Sequence, residues 1–327
     1  MKSKIKRLLP SFRASNKTNN LIKELSQRID TLQLKIEDLD KKNEYLFFCL
    51  NHRDSENLEE TKERVFKKMP KASGDLRKTQ QGCNYILQRI KMLCDKNNIT
   101  FFLVAGSLLG AVRHSGFIPW DDDLDIGMFR EDYWKLWDIL KNDDELTIHY
   151  YYMYNPNKNP VSSDIITKVK LKSSEKFFVD VFPFDCIQSN NQSETWRHLE
   201  LRSELLHNEF EKYFVEHKYT QKSFNKPQME VSFDKDITKI IKKYLLMDSY
   251  DKREGFCVLG IDQSRGFRKS DGMCPTCFFF PLNKTLLFEE NNYIVPNKTH
   301  EILSKKYGDY FNLPSSVIPT HYEEVEE

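Results

Sequence analysis

Gly106-Ser-Leu-Leu-Gly-Ala-Val-Arg-His-Ser-Gly-Phe-Ile-Pro-Trp-Asp-Asp-Asp-Leu-Asp-Ile-Gly-Met128 decides the reading of this chain. Near its end, Leu124 and Ile126 alternate with Asp123 and Asp125. That period of two predicts a strand that turns its apolar side chains into a core and both carboxylates to one side. Neighbouring carboxylates repel unless a hard cation lies between them, and oxygen-only ligands suit Mg2+, with Mn2+ as the variant. At the other end, the apolar run Thr100–Ala105 reads as a buried strand and Leu108–Arg113 as the start of a helix. Gly106-Ser107 between them would expose amide N–H groups to a phosphate, with glycine allowing close approach. An EF-hand loop starting at Asp121 would need glycine where Ile126 stands. A Walker A loop would need a Lys and a spacing that Gly106–Arg113 lacks. A plain acidic surface turn fits poorly with apolar residues among the acids.

Glycine is scarce elsewhere: 11 in 327 residues, with four (Gly106, Gly110, Gly116, Gly127) inside this stretch. Gly255, Gly260, Gly266 and Gly272 form a second group, mixed with Arg253, Arg265, Arg268 and Lys269. This segment, 251–272, is expected to act as a lid closing on an anionic donor, with Arg265 and Arg268 as its contacts. Upstream, a helix is expected from Asp75, with Leu76, Gln80, Cys83, Leu87, Ile90 and Cys94 on its buried face. Downstream, Glu131–Leu140 reads as a helix, and Ile148–Tyr154, Ile165–Leu171 and Phe177–Phe182 as strands. Residues 190–250 turn helical, as an insertion. Short strands near Phe278–Phe280 and Tyr293–Val295, a helix near His300–Tyr307 and an acidic tail at 316–327 complete the chain. Cys274-x-x-Cys277 with Cys257 nearby is a weak zinc signature and reads better as structural. His114 beside the glycine-serine bend reads as structural or as a substrate contact.

The composition is globular: 39% hydrophobic, 13% aromatic and 30% charged. A formal net charge of +1 gives no basic excess for a nucleic-acid partner. The seven cysteines are scattered, and MKSKIKRLLPSFR lacks the apolar stretch of an export signal. With no apolar run long enough to span a bilayer, the expectation is a cytoplasmic protein with reduced thiols. Residues 1–20 carry six Lys or Arg and no acid, which suits either a solvated tail or contact with the inner face of an anionic membrane. Within 21–50, Ile22, Leu25, Ile29, Leu32, Ile36, Leu39, Asn43, Leu46 and Leu50 alternate spacings of three and four. Ile at a, Leu at d and one Asn at a suit a parallel two-stranded coiled coil, hence a homodimer, against one helix folded back on its own domain. Residues 51–74 read as a linker.

Gly106–Met128, Phe178-Val-Asp-Val-Phe-Pro-Phe-Asp185 and Tyr307-Gly-Asp-Tyr310 followed by Leu313-Pro314 together resemble the LicD family, which is similar to the fukutin-related proteins. The resemblance covers about residues 75–315. It departs at Ser115, where many relatives carry a basic residue. It implies an α/β (α+β) nucleotidyltransferase-like mixed sheet flanked by helices. It also implies a third carboxylate beside the Asp123/Asp125 metal pair, with Asp180 preferred over Asp185. The implied reaction is transfer of phosphocholine, or a similar phospho-alcohol, from a CDP-activated donor to a sugar hydroxyl of a cell-surface glycan or glycolipid precursor, such as a teichoic acid or lipopolysaccharide. Arg113 is expected as a bidentate phosphate contact. Lys168 and Lys170, two apart on one strand, are expected either to neutralise donor charge or to be solvated. Trp120, Tyr151 and Tyr152 are candidates for a cage around a quaternary ammonium. Nucleotidyl transfer and an inactive coiled-coil scaffold are the alternatives.

Overall fold

The computed structural model describes residues 9–155, 162–216, 229–231, 234–245, 255–263 and 273–314. They divide into two compact parts, one comprising residues up to Val65 with Asn312–Ser316, the other running from Phe66 to Phe311. The first part holds α1 (Leu9–Asn51) and most of α2 (Leu58–Lys68). Helix α1 is continuous from Leu9, so the helical pattern extends back into the expected basic tail. Helix α2 lies inside the span expected as a linker. It opens on a reciprocal cap, the Glu60 amide donating to Asn57 Oδ1 and the Asn57 amide to Glu60 Oε2, both at 2.9 Å.

The second part is built on an eight-stranded mixed sheet. Its strands are β1 (Phe102–Leu103), β2 (Asp125–Phe129), β3 (Leu146–Asn155), β4 (Ser162–Leu171), β5 (Ser174–Ile187), β6 (Met229–Val231), β7 (Phe256–Leu259) and β8 (Met273–Pro275). The order is β1-β2-β5-β4-β3-β6, with β7 pairing to the far half of β5 and β8 to β7. Among the described residues only β2 and β5 run parallel; the other pairs are antiparallel. The expected sheet with flanking helices is therefore present. Strands β3, β4 and β5 are longer than their apolar runs suggested. The helical insertion holds α6 (Gln192–Glu216) and α7 (Asp234–Tyr244), but also contributes β6 to the sheet edge. Phe278 falls in a 3-10 turn (Thr276–Phe278) rather than a strand. A separate hairpin, β9 (Lys284–Phe288) and β10 (Asn291–Val295), precedes α8 (Thr299–Tyr307).

Two helices set the layers. Helix α3 (Gly74–Asn97) packs on β4 and β5 through Cys83, Ile86, Leu87, Ile90 and Cys94. Helix α5 (Arg130–Leu140) follows β2 and covers the face bearing Thr167, Val179 and Val181; the Tyr133 hydroxyl and Thr167 Oγ1 are 2.7 Å apart. Along β5 the opposite face carries Asp180, Phe182, Phe184 and Cys186 in succession, and this face holds the site.

Candidate active site

Helix α4 (Ala105–His114) starts directly after β1, and its first turn is fastened to the first residue of β2. The Gly106 amide donates to Asp125 Oδ2 at 3.2 Å, and the Asp125 amide donates to Ser107 Oγ at 2.8 Å. Ala105 holds a left-handed φ of +45°, an unfavourable conformation for a residue with a Cβ, so the bend is held by its surroundings. A Cβ on Gly106 would stand 2.8 Å from Asp121 Oδ2 and 3.6 Å from Asp125 Oδ2, so glycine lets acid and helix end meet. Gln80 Nε2 donates to the carbonyls of Asp121 (2.8 Å) and Ile118 (3.2 Å), anchoring the acidic loop to α3.

Asp125 lies opposite Asp180 across the parallel β2/β5 pair, so both project from the same face. With Asp123 they bring three carboxylate oxygens within 4.8 Å of one another; Asp121, Asp122 and Asp123 form a second such group. Burial, and then the charges on Asp123 and Asp180, push the Asp125 carboxyl well above the usual carboxylate range. Three crowded oxygen donors, one of them this reluctant to ionise alone, fit a hard divalent cation. Lys168 Nζ lies 2.8 Å from Asp180 Oδ1, both side chains buried, with the ammonium 3.4 Å from the Phe178 ring centroid. Lys168 therefore neutralises one oxygen of the third carboxylate, and it is not solvated. Lys170 is buried as well, 4.6 Å from the Tyr151 ring centroid.

Other candidate residues are held by partners distant in sequence. Asp185 is not in the cluster. Arg130 grips it through two 2.8 Å bonds and also reaches Asp262 at 2.6 Å, forming a buried acid-base-acid triad. Arg113 is not a free phosphate fork. It is buried, donates to the Tyr310 carbonyl at 2.9 Å and stacks over Phe66 at 4.1 Å, with burial pushing its pKa down to about 10. His114 is structural: Nδ1 is 2.9 Å from the Phe66 carbonyl, and burial beside Arg113 lowers its pKa to about 4. The Tyr151 ring is occupied by Lys170, Trp120 stacks edge-on with His114, and the side chain of Tyr152 lies outside the described residues, as do Arg265 and Arg268. Among the described residues no thiol group gathers a metal-type set; Cys186 and Cys257 sit 3.2 Å apart across β5 and β7.

Sequence reasoning missed the contribution of α8. Burial, and then the charges on Asp125, Asp121 and Asp123, push the Tyr307 phenol upward, which places it within their field. Lys306 acts in the opposite sense on Asp125. Beyond Asp180, Phe182 and Phe184 line a cavity of about 130 Å3 with Phe279, Val104 and Lys306. The Tyr307–Tyr310 motif was visible, but nothing in it shows that it folds against the acids.

A strand-to-helix bend, paired carboxylates on parallel neighbours and an apolar cleft thus lie together on one face of the sheet. Residues 98–231 match the LicD/FKTN/FKRP nucleotidyltransferase domain. The chain is 26% identical over 260 residues, 73% of its own length and 92% of the relative, to the lipopolysaccharide cholinephosphotransferase LicD of Haemophilus influenzae. A 65-residue match to the uncharacterized protein RP689 of Rickettsia prowazekii is 51% identical and covers 19% of this chain and 24% of that one. A 34-residue match to the human ribitol 5-phosphate transferase FKRP is 53% identical and covers 10% and 7%.

Proposed function

We propose that this protein transfers phosphocholine, or a similar phospho-alcohol, from a CDP-activated donor to a sugar hydroxyl of a cell-surface glycan or glycolipid precursor. The observation that carries the proposal is the convergence of Asp123, Asp125 and Asp180 beside the first turn of α4. The similarity to the Haemophilus enzyme supports the phosphocholine reading. Asp123, Asp125 and Asp180 would hold Mg2+ or Mn2+, which supplies charge neutralisation on the diphosphate and on the leaving oxygen. The chain's own residues position the reactants. Gly106 keeps the approach to the carboxylates open, and Lys168 fixes Asp180 in place. The Phe182/Phe184 wall receives the non-phosphate part of the donor, and Lys306 at its rim faces the anion. The sugar oxygen forms its bond to phosphorus as the bridging bond to CMP breaks, and the hydroxyl proton passes to a carboxylate of the cluster. The described residues contain no helix long and apolar enough to cross a membrane; we place the enzyme in the cytoplasm, at the inner membrane face where such precursors are built.

Incubation with CDP-choline, Mg2+ and a glycan acceptor should release CMP and yield a phosphocholine-bearing sugar. Asp123→Asn should abolish this while the thermal melt stays within a few degrees of wild type. Release of pyrophosphate from a nucleotide would instead mark nucleotidyl transfer, and no turnover with any activated donor would favour a scaffold.

A further inference from the structure

Helix α1 leaves its heptad seam uncovered. The a and d residues Ile22, Leu25, Ile29, Leu32, Ile36, Leu39, Leu46 and Leu50 are between 48% and 85% exposed. The contacts α1 makes within its own part of the molecule fall on another face. Phe48 is fully buried with Lys62 over its ring, and Glu44 accepts the Leu313 amide at 2.9 Å. Asn312–Pro314 borders an open groove of about 520 Å3 along Asp40, Asn43, Glu44 and Phe47, leaving Asn43 and Leu46 exposed. Within this part of the molecule, therefore, none of the described residues covers the seam.

The flanking charges select the occupant and its direction. With Ile22 at a, the g positions of successive heptads are Arg28, Lys35 and Lys42, and the e position after Lys35 is Asp40. In an antiparallel pair g faces g, which sets basic residues against one another along the seam. In a parallel pair g faces e of the next heptad, so Lys35 of each strand meets Asp40 of the other. Asn43 adds a second constraint. A polar residue at a is tolerated when it meets its own kind, which a parallel, in-register second copy provides. We infer that the chain forms a parallel, in-register homodimer through Ile22–Leu50 of α1, with Lys35–Asp40 pairs crossing between the copies.

Sedimentation equilibrium on the full chain should give twice the 38.9 kDa chain mass at micromolar concentration. A monomer or a tetramer would overturn the inference. Leu32→Asp should give a monomer with an unchanged fold by circular dichroism; a persisting dimer would place the contact on another surface. Because that change could also unfold α1, the flanking charges supply an independent reading. Lys35→Glu should weaken the dimer about tenfold and Asp40→Lys in the same chain should restore it, whereas an antiparallel pair would be strengthened by Lys35→Glu alone. Leu25→Cys with Cys49→Ser should cross-link between copies on mild oxidation. A dimer that fails to cross-link at this end of the seam would overturn the parallel arrangement.

Discussion

Arg130 holds two buried carboxylates, Asp185 and Asp262, and they in turn keep it charged. Arg130→Met would strand both acids without a counterion. The expected cost is about 3–5 kcal/mol in urea unfolding, since breaking one member of a buried ionic group exposes the full desolvation penalty. His114 gives a pH signature. Its Nδ1–H donates to the Phe66 carbonyl, and its folded pKa of about 4 lies below the ordinary value near 6.5. The unfolded chain therefore binds a proton that the folded chain refuses, and stability falls as pH drops from about 6.5 to about 4. His114→Asn should flatten this limb by up to roughly 3 kcal/mol, measured by denaturant melts across that range. The pair Asp123/Asp125 was legible because its alternation with Leu124 and Ile126 is local. The choice between Asp180 and Asp185 was not resolved by the residues alone, because both flank apolar neighbours on one strand. What separates the two in the fold are their partners, Lys168, 12 residues from Asp180, and Arg130, 55 from Asp185. The role of Arg113 was likewise hidden, its acceptor lying 197 residues away.

At the scale of elements, the junction of α4 with β2 is the sensitive part. Gly106→Ala places a methyl against the Asp121 and Asp125 carboxylates. Turnover of CDP-choline should drop about tenfold or more, because a shift on the order of 1 Å near reacting groups is that costly, with little change in melting temperature. The bend itself was readable from Gly106-Ser107 between two apolar segments. Helix α2 was not, since its sequence is mostly charged and its short apolar content hides a fully buried Phe66. Strand β3 was under-read because polar Thr147 and His149 sit among its apolar and aromatic residues. The place of α8 beside the acids depends on the long return of the chain to the sheet, which no local pattern records.

For the molecule as a whole, the crowded carboxylates couple metal to stability. Mg2+ at about 100 times its dissociation constant should stabilise the wild type by roughly 2.7 kcal/mol, seen as a raised melting temperature reversed by chelator. Asp125→Asn should melt higher than wild type without metal and respond weakly to Mg2+, since it removes the reluctant charge along with the ligand. The sheet and its helices were foreseeable from the alternation and the family motifs, whereas the pairing of β7 and β8 with the outer half of β5 was not, because both are short and separated from it in sequence. That long strand has a further consequence. Asp180 and Asp185 are an odd number of positions apart, so they leave opposite sides of the same backbone, one toward the reaction, the other toward the helix that steadies it. Inserting or deleting a single amino acid between them would turn both to one side, so that either the reaction or the helix loses its carboxylate. This five-residue interval should therefore keep a fixed length through any successful redesign, even where connecting loops are lengthened freely.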